Sequence, residues 1–372
     1  MNPKARCIMI GGFLGAGKTT AVRELAHHLA AQGIRVGLIT NDQGCHLVDT
    51  AILRSQGFAT EEIPGGCFCC RFNSLVDASK KLTASTQPEV IIAEPVGSCT
   101  DLVATVTYPL RRFHGDHFTV APVSVLVDPI RALRAFGVEK GDTFSDKVLY
   151  IYFKQIEEAD VVVISKCDLL DQERLALLRE AMAAKYRGKE ILAVSVTMGT
   201  NLEAWFAHIT RDEQMARTAM DLDYQIYAAG EALLGWLNCT VQVSAITPFD
   251  ADALLQRLAS EIQQRLRSSN AQVAHLKMAL SPDAGFGGGI AAVNLVRNDV
   301  VPELSIRLEK PVTRGQLILN LRAEAAPDVL GTGVRDGLAA AAEAFPTLVA
   351  TLDHFEHFRP GKPTPTHIAS PR

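Results

Sequence analysis

The feature that most constrains this chain stands at its start. Gly12-Phe13-Leu14-Gly15-Ala16-Gly17-Lys18-Thr19 fits the phosphate-loop pattern G-x-x-x-x-G-K-[ST]. It lies between an apolar strand, Arg6 to Ile10, and a helix whose Val22, Leu25, Ala26 and Leu29 recur at i, i+3, i+4 and i+7, with Gly33 as the stop. Glycines let the backbone curl so that the N–H groups of Gly15, Ala16, Gly17, Lys18, Thr19 and Thr20 face phosphate. Lys18 is placed to reach the β and γ oxygens as the catalytic cation, and the Thr19 hydroxyl to ligate Mg²⁺.

Such a loop needs a parallel sheet behind it, and the pattern downstream supplies one. As far as about residue 208, short β-branched runs alternate with helical patterns, the mark of an α/β domain with a mostly parallel sheet. The strands are Arg6 to Ile10, Ile34 to Thr40, Ala59 to Ile63, Glu89 to Ala93, Pro122 to Val127, Asp160 to Ser165 and Glu190 to Ser195. The expected division is a nucleotide-binding domain over 1–209, an acidic linker over 210–223, a smaller α+β domain over 224–358 and a Pro-rich disordered tail over 359–372. In the second domain the pattern reads as helix Tyr224 to Gly235, strand Cys239 to Ile246, helix Ala251 to Arg267, then strands Val273 to Leu280, Gly289 to Val296 and Leu304 to Leu308. A helix from Gly333 to Ala344 completes a split βαβ arrangement. Gly285-Phe286-Gly287-Gly288-Gly289 reads as a flexible hairpin loop.

Charge narrows the partners. Over 372 residues, 37 basic and 41 acidic side chains leave a net charge of −4, with no basic run to neutralise phosphates and no aromatic platform, so no nucleic-acid partner is expected. The start, Met1 to Gly17, imitates a secretory leader, with Lys4 and Arg6 ahead of the apolar run Cys7 to Ile10, but a charged Gly-Lys-Thr-Thr at Lys18 stands where cleavage would occur, and no apolar run reaches membrane-spanning length. The expectation is a cytoplasmic protein without a membrane partner.

Three further segments extend the phosphate signal. Ser165-Lys166-Cys167-Asp168 follows a buried strand where a guanine reader Asn-Lys-x-Asp would sit. There Asp168 can accept from guanine N1–H and N2–H₂ and the Lys166 stem can lie along the base; Ser195 begins the loop that closes over it. Glu94-Pro95-Val96-Gly97 ends another strand. Its carboxylate is placed to hold Mg²⁺ or orient the attacking water, and the Gly97 N–H to meet the γ-phosphate. Asn41-Asp42-Gln43-Gly44 is the second candidate switch, with Asp42 near the Mg²⁺.

Between the two switches lies Gly65-Gly66-Cys67-Phe68-Cys69-Cys70. Three thiols at C-x-C-C spacing suit Zn²⁺, with Co²⁺, Ni²⁺ or Cu(I) as alternatives, and leave a fourth position to Cys45, His46, Cys99 or water.

Phosphate loop, GGCFCC, E-P-V-G and S-K-C-D in this order resemble the CobW-like GTPases, relatives of HypB and UreG, over about residues 6–208. The resemblance implies GTP and GDP as ligands, slow GTP hydrolysis helped by a homodimer or a client, and metallochaperone work for zinc, cobalt or nickel proteins. It carries function onto Lys18, Thr19, Glu94, Asp168, Cys67, Cys69 and Cys70. His354, His357 and His367 are scattered where the family often has a His-rich stretch, which puts the client in question. The alternative it leaves open is a GTP-gated accessory protein of a corrinoid-dependent methyltransferase, its client a corrinoid protein and its metal purely structural.

Overall fold

The computed structural model describes residues 4–44, 47–215, 219–282 and 289–369. Its contacts divide into two compact units, one comprising 1–43, 58–230 and 363–372, the other 44–57 and 231–362. This division differs from the expected one in three places: the boundary falls at 230, a short internal segment joins the second unit, and the end of the chain returns to the first.

In chain order the first unit contains β1 (Ala5–Gly12), α1 (Lys18–Ala31) and β2 (Val36–Asn41). The chain leaves it for α2 (Val48–Ser55) and returns with β3 (Ala59–Ile63), α3 (Phe72–Thr86), β4 (Val90–Glu94), α4 (Tyr108–His114), β5 (Phe118–Val120), β6 (Ser124–Val127) and α5 (Pro129–Ala135). The unit continues with α6 (Asp146–Glu158), β7 (Val161–Ile164), α7 (Gln172–Lys185), β8 (Glu190–Ala193), α8 (Leu202–Arg211) and α9 (Tyr224–Glu231). Strand order is β3-β2-β4-β1-β6-β7-β8, with β5 paired to the start of β1, and every pair is parallel. The central strands β1, β4, β6 and β7 are buried almost throughout, as expected of a sheet covered on both faces. Parallel strands gather their C-terminal ends on one edge, and the loops that follow β1, β2, β4 and β7 are those carrying the sequence motifs.

The second unit holds β9 (Leu234–Phe249), α10 (Ala251–Ser268), β10 (Gln272–Ser281), β11 (Ala291–Leu295), β12 (Glu303–Ile306), β13 (Val312–Glu324), α11 (Pro327–Glu343) and β14 (Val349–Phe358). Its antiparallel sheet runs β12-β11-β10-β13-β9-β14. Because β13 pairs antiparallel with both β9 and β10, β9-α10-β10 is a split βαβ unit with β13 inserted, and β13-α11-β14 repeats the device around β9. Strands β13 and β14 were not among the expected elements. One sheet face buries Leu237, Val241, Leu276, Leu319 and Leu321 against Leu255, Leu258 and Ile262 of α10 and Val334 of α11. The other packs Ala279, Ala292 and Ile318 against Val48, Ala51 and Ile52 of α2. Helix α2 is fixed further by the Lys277–Asp49 ion pair at 2.6 Å and by the Val48 N–H donating to Asn320 Oδ1 at 2.8 Å. The segment following the first candidate switch thus belongs to this unit's core. Of the glycine cluster only Gly289 is among the described residues.

Candidate nucleotide and metal site

Gly12 closes β1 at φ +131°, and a Cβ there would lie 2.4 Å from the Leu126 carbonyl oxygen, so the turn into the phosphate loop admits only glycine. Gly17 caps α1 in the left-handed region, φ +91°, and Lys18 and Thr19 form the first helical turn, with the helix N-terminus facing the loop. Thr20, next along, is exposed. Lys18 Nζ lies 2.9 Å from the Gly12 carbonyl oxygen and 3.4 Å from that of Phe13. Thr19 Oγ1 donates to Glu94 Oε1 at 3.0 Å across the top of the sheet. A hydroxyl and a carboxylate converging in this way fit a hard divalent cation. Thr40 is in register with Glu94, which puts Asp42, half-buried, two residues beyond that pairing.

The Glu94–Gly97 segment, the other candidate switch, is packed onto the loop. A Cβ on Gly97 would meet Leu14 Cδ2 at 2.6 Å and Lys18 Nζ at 3.1 Å, so the missing side chain is what lets this backbone approach the lysine. From α6, the buried amide of Gln155 donates to the carbonyls of both Gly97, at 3.0 Å, and Cys99, at 2.8 Å. One turn later the chain forms a π-helical stretch, Val103–Thr107, entered through Asp101 at φ +67°.

At the base-reading strand end, Ser165 Oγ lies 2.8 Å from the Ala16 carbonyl and 3.0 Å from that of Val127. The hydroxyl therefore ties the candidate reader to the phosphate-loop segment. Lys166 Nζ donates to the Gly15 carbonyl at 2.9 Å and pairs with Asp128 at 3.0 Å. Asp168 is exposed, and Ser195, fully buried, accepts from the Met198 N–H at 3.1 Å to shape the closing loop.

The metal loop is held from the end of β2. The Asn41 side-chain amide donates to the carbonyls of Ile63, at 2.9 Å, and Gly66, at 2.6 Å, and the Gly66 N–H donates to the Asp42 carbonyl. Cys67 Sγ lies 3.4 Å from Cys70 Sγ, Cys69 Sγ 3.7 Å from Cys70 Sγ, and Cys99 Sγ 4.0 Å from Cys69 Sγ. Cys67, Cys69 and Cys99 are buried and their sulfurs lie within 4.8 Å of one another. Hydrogen bonding with the neighbouring thiols lowers Cys67 from the ordinary thiol range, and the same bonds together with burial raise Cys69, Cys70 and Cys99. Cys45 and His46, the other expected candidates for the fourth position, lie outside the described residues.

Two parts of this site escaped the sequence reading. Asp128 carries the recognisable signature of an acidic N-cap ahead of Pro129, and its second oxygen serves Lys166. The end of the chain, expected to be disordered, instead lies against the metal loop. The Thr366 N–H and hydroxyl reach the Cys69 and Cys70 carbonyls at 2.8 and 3.2 Å, and His367 packs on Phe72.

The family model of the CobW/HypB/UreG nucleotide-binding domain matches residues 6–193. The chain belongs to this family. Among curated relatives, a zinc chaperone CobW of Sinorhizobium sp. is 28% identical over 248 residues, covering 58% of this chain and 69% of the relative. The zinc-regulated GTPase metalloprotein activator 1 of Dictyostelium discoideum is 24% identical over 198 residues, covering 45% and 41%. The chain thus spans between about two fifths and just over two thirds of these relatives. HypB of Helicobacter pylori, solved in complex with nickel, aligns with a TM-score of 0.42 at 17% identity over 58% of this chain and 92% of that one. No described helix is long and apolar enough to cross a membrane.

Proposed function

We propose that this chain binds and hydrolyses GTP and couples its nucleotide state to the transfer of a thiolate-held metal ion, zinc foremost and cobalt next, to a client protein. The observation that carries the reading is the clasp of Asn41 and Asp42 on Gly66 at the head of the cysteine loop. It joins the end of β2, where a γ-phosphate would act, directly to the metal loop. The names of the zinc-chaperone relatives support zinc as cargo.

In this reading Gly15 to Thr20 cradle the phosphates, Lys18 offsets charge developing at the γ-phosphate, Asp168 selects guanine and the Lys166 stem lies along the base. Thr19, Glu94 and Asp42 would hold Mg²⁺, whose contribution is to neutralise the β and γ oxygens. Glu94 orients the attacking water, and Gly97 donates its N–H to the γ-phosphate until hydrolysis removes it. The cargo rests on Cys67, Cys69 and Cys70. The test is a competition titration of Zn²⁺ and Co²⁺ into metal-free protein with GDP and then with a non-hydrolysable GTP analogue, following thiolate-to-Co²⁺ charge transfer. A change of affinity between the two states is expected; equal affinities exclude coupling by linkage.

A further inference from the structure

We infer that Cys99 is the fourth thiolate of the metal site and the ligand that the nucleotide displaces. The inference rests on the cysteine loop being the cargo site and adds a ligand from a different part of the chain.

The geometry supplies part of a tetrahedron. With Zn–S near 2.3 Å, sulfurs around a tetrahedral zinc stand roughly 3.8 Å apart. Three of the six edges, 3.4 Å for Cys67–Cys70, 3.7 Å for Cys69–Cys70 and 4.0 Å for Cys69–Cys99, bracket that value, while Cys70 stands outside the group in which Cys67, Cys69 and Cys99 lie within 4.8 Å of one another, so an ion would have to draw Cys70 and Cys99 together. Cys99 is 2% exposed, and its sulfur lies within 4.8 Å of those of Cys67 and Cys69. A thiol with a packing role alone has no reason to converge on two loop cysteines some thirty residues earlier in the chain.

The connection to nucleotide is covalent and short. Cys99 is two residues beyond Gly97, whose backbone is pressed against Leu14 and Lys18 of the phosphate loop. The Cys99 N–H donates to the Val96 carbonyl at 2.9 Å, making a tight turn, and the single Gln155 amide bonds the carbonyls of two of its residues, Gly97 and Cys99. Gly97 and Cys99 therefore move together: a backbone shift that brings the Gly97 N–H to a γ-phosphate displaces the Cys99 sulfur. With Cys99 engaged the ion has four thiolates and no open position. With Cys99 withdrawn, three thiolates remain and one position is free for a ligand from a client. Binding Zn²⁺ or Co²⁺ releases the protons of the thiols it engages, one fewer without Cys99.

The test uses Co²⁺ on the full chain, with C99S and C99A, each checked for native thermal unfolding without metal. Wild type is expected to bind one Co²⁺ with a charge-transfer band that changes between GDP and a GTP analogue. Both variants are expected to bind one Co²⁺ about tenfold or more weakly, with the band reduced by one thiolate's share and its nucleotide dependence abolished. Gln155→Ala should keep the four-thiolate band in one state while weakening its response to nucleotide. Wild-type band and wild-type nucleotide response in both Cys99 variants would overturn the inference and leave the three-cysteine cargo site standing. Loss of the band's intensity with no nucleotide response in wild type would overturn the switching step. A triple Ser variant of Cys67, Cys69 and Cys70 that still bound stoichiometric Co²⁺ would instead bring down the cargo-site reading itself.

Discussion

The Thr364 backbone N–H donates to the Cys70 sulfur at 3.2 Å. Cys70 is the most exposed of the four clustered thiols, and a hydrogen bond from a main-chain N–H withdraws charge from the sulfur that a competing ligand would approach first. Thr366 and Ala369 add backbone bonds to Cys69 and Ala104, and His367 sits at 4.9 Å from Phe72 and 5.1 Å from Phe113, so the terminal segment covers this edge of the loop by defined contacts.

Truncation after Lys362 should therefore accelerate loss of bound Zn²⁺ to a chromophoric chelator by about tenfold, with faster alkylation of Cys70 in metal-free protein. Stopped-flow transfer and mass-mapped alkylation measure the two. Unchanged rates would mean that the segment lies on the loop without guarding it.

Lys18→Ala should reduce GTP turnover by about hundredfold or more, because the charge that meets the developing negative charge is gone. Gly97→Ala tests the switch at the same point from the other side. Its methyl would have to displace Leu14 and Lys18, at 2.6 and 3.1 Å, so turnover should fall while GDP affinity is largely kept. Single-turnover hydrolysis and nucleotide titration separate these effects, and wild-type turnover in either variant would remove the residue from its assigned role.

Asp168→Asn should erode the preference for GTP over ATP by about tenfold, since an amide cannot accept from both guanine donors. Asp128→Asn should weaken both nucleotides alike, because Asp128 acts by positioning Lys166 through the 3.0 Å pair. Competition binding with fluorescent GDP and ADP distinguishes the two patterns. Identical selectivity profiles for the two variants would contradict this division of labour.

Glu158 provides a pH signature. It is buried on α6, where it accepts from the Thr100 hydroxyl at 3.1 Å, and burial together with the neighbouring Asp101 pushes its pKa up to about 8. Asp101 is itself raised to about 6 by burial, opposed by the Tyr224 hydroxyl and by Lys154. A carboxyl raised on folding keeps a proton that the unfolded chain has lost, so its stabilising contribution is full below about pH 4 and disappears as pH rises towards 8. Metal-free protein should lose stability between about pH 5 and pH 8 at up to ~1.4 kcal/mol per pH unit from this group, and Glu158→Gln should flatten that loss. Denaturant unfolding at the two pH values measures it. An equal slope in the variant would assign the titration to another group.

How much of this was legible depends on whether the physics is local. The phosphate loop, the parallel strands and the C-x-C-C triplet could be read because each is fixed by neighbours in sequence: a glycine turn, a period of two or 3.6, soft ligands a residue or two apart. Strand β13 could not. Its inward Leu317, Leu319, Leu321 and Ala323 alternate as a strand should, but Asn320 and Arg322 face a buried environment as well. They are tolerated because Asn320 accepts from the Val48 N–H and the Arg322 guanidinium stacks 4.0 Å over Trp236 while its Nη1 donates to the Leu237 carbonyl at 2.8 Å. Those partners are distant in sequence, and without them the polar residues read as a loop. The C-terminal segment is the same case, since a Pro-rich composition argues for disorder until backbone bonds to Cys69 and Ala104 give its N–H groups acceptors.

By itself, then, the sequence determined that the chain has an α/β domain opening on a phosphate-loop motif, a Ser165-Lys166-Cys167-Asp168 strand end and a thiol-rich loop between the Asn41 and Glu94 strand ends, because each follows from residue type and spacing. Only the tertiary structure decided that Cys99 joins the thiols, that Gln155 links Gly97 to Cys99, that α2 is held in the second unit and that Thr364 meets Cys70. Each of these is a contact between segments far apart in the chain, and such contacts form only where the buried sheets bring those segments together.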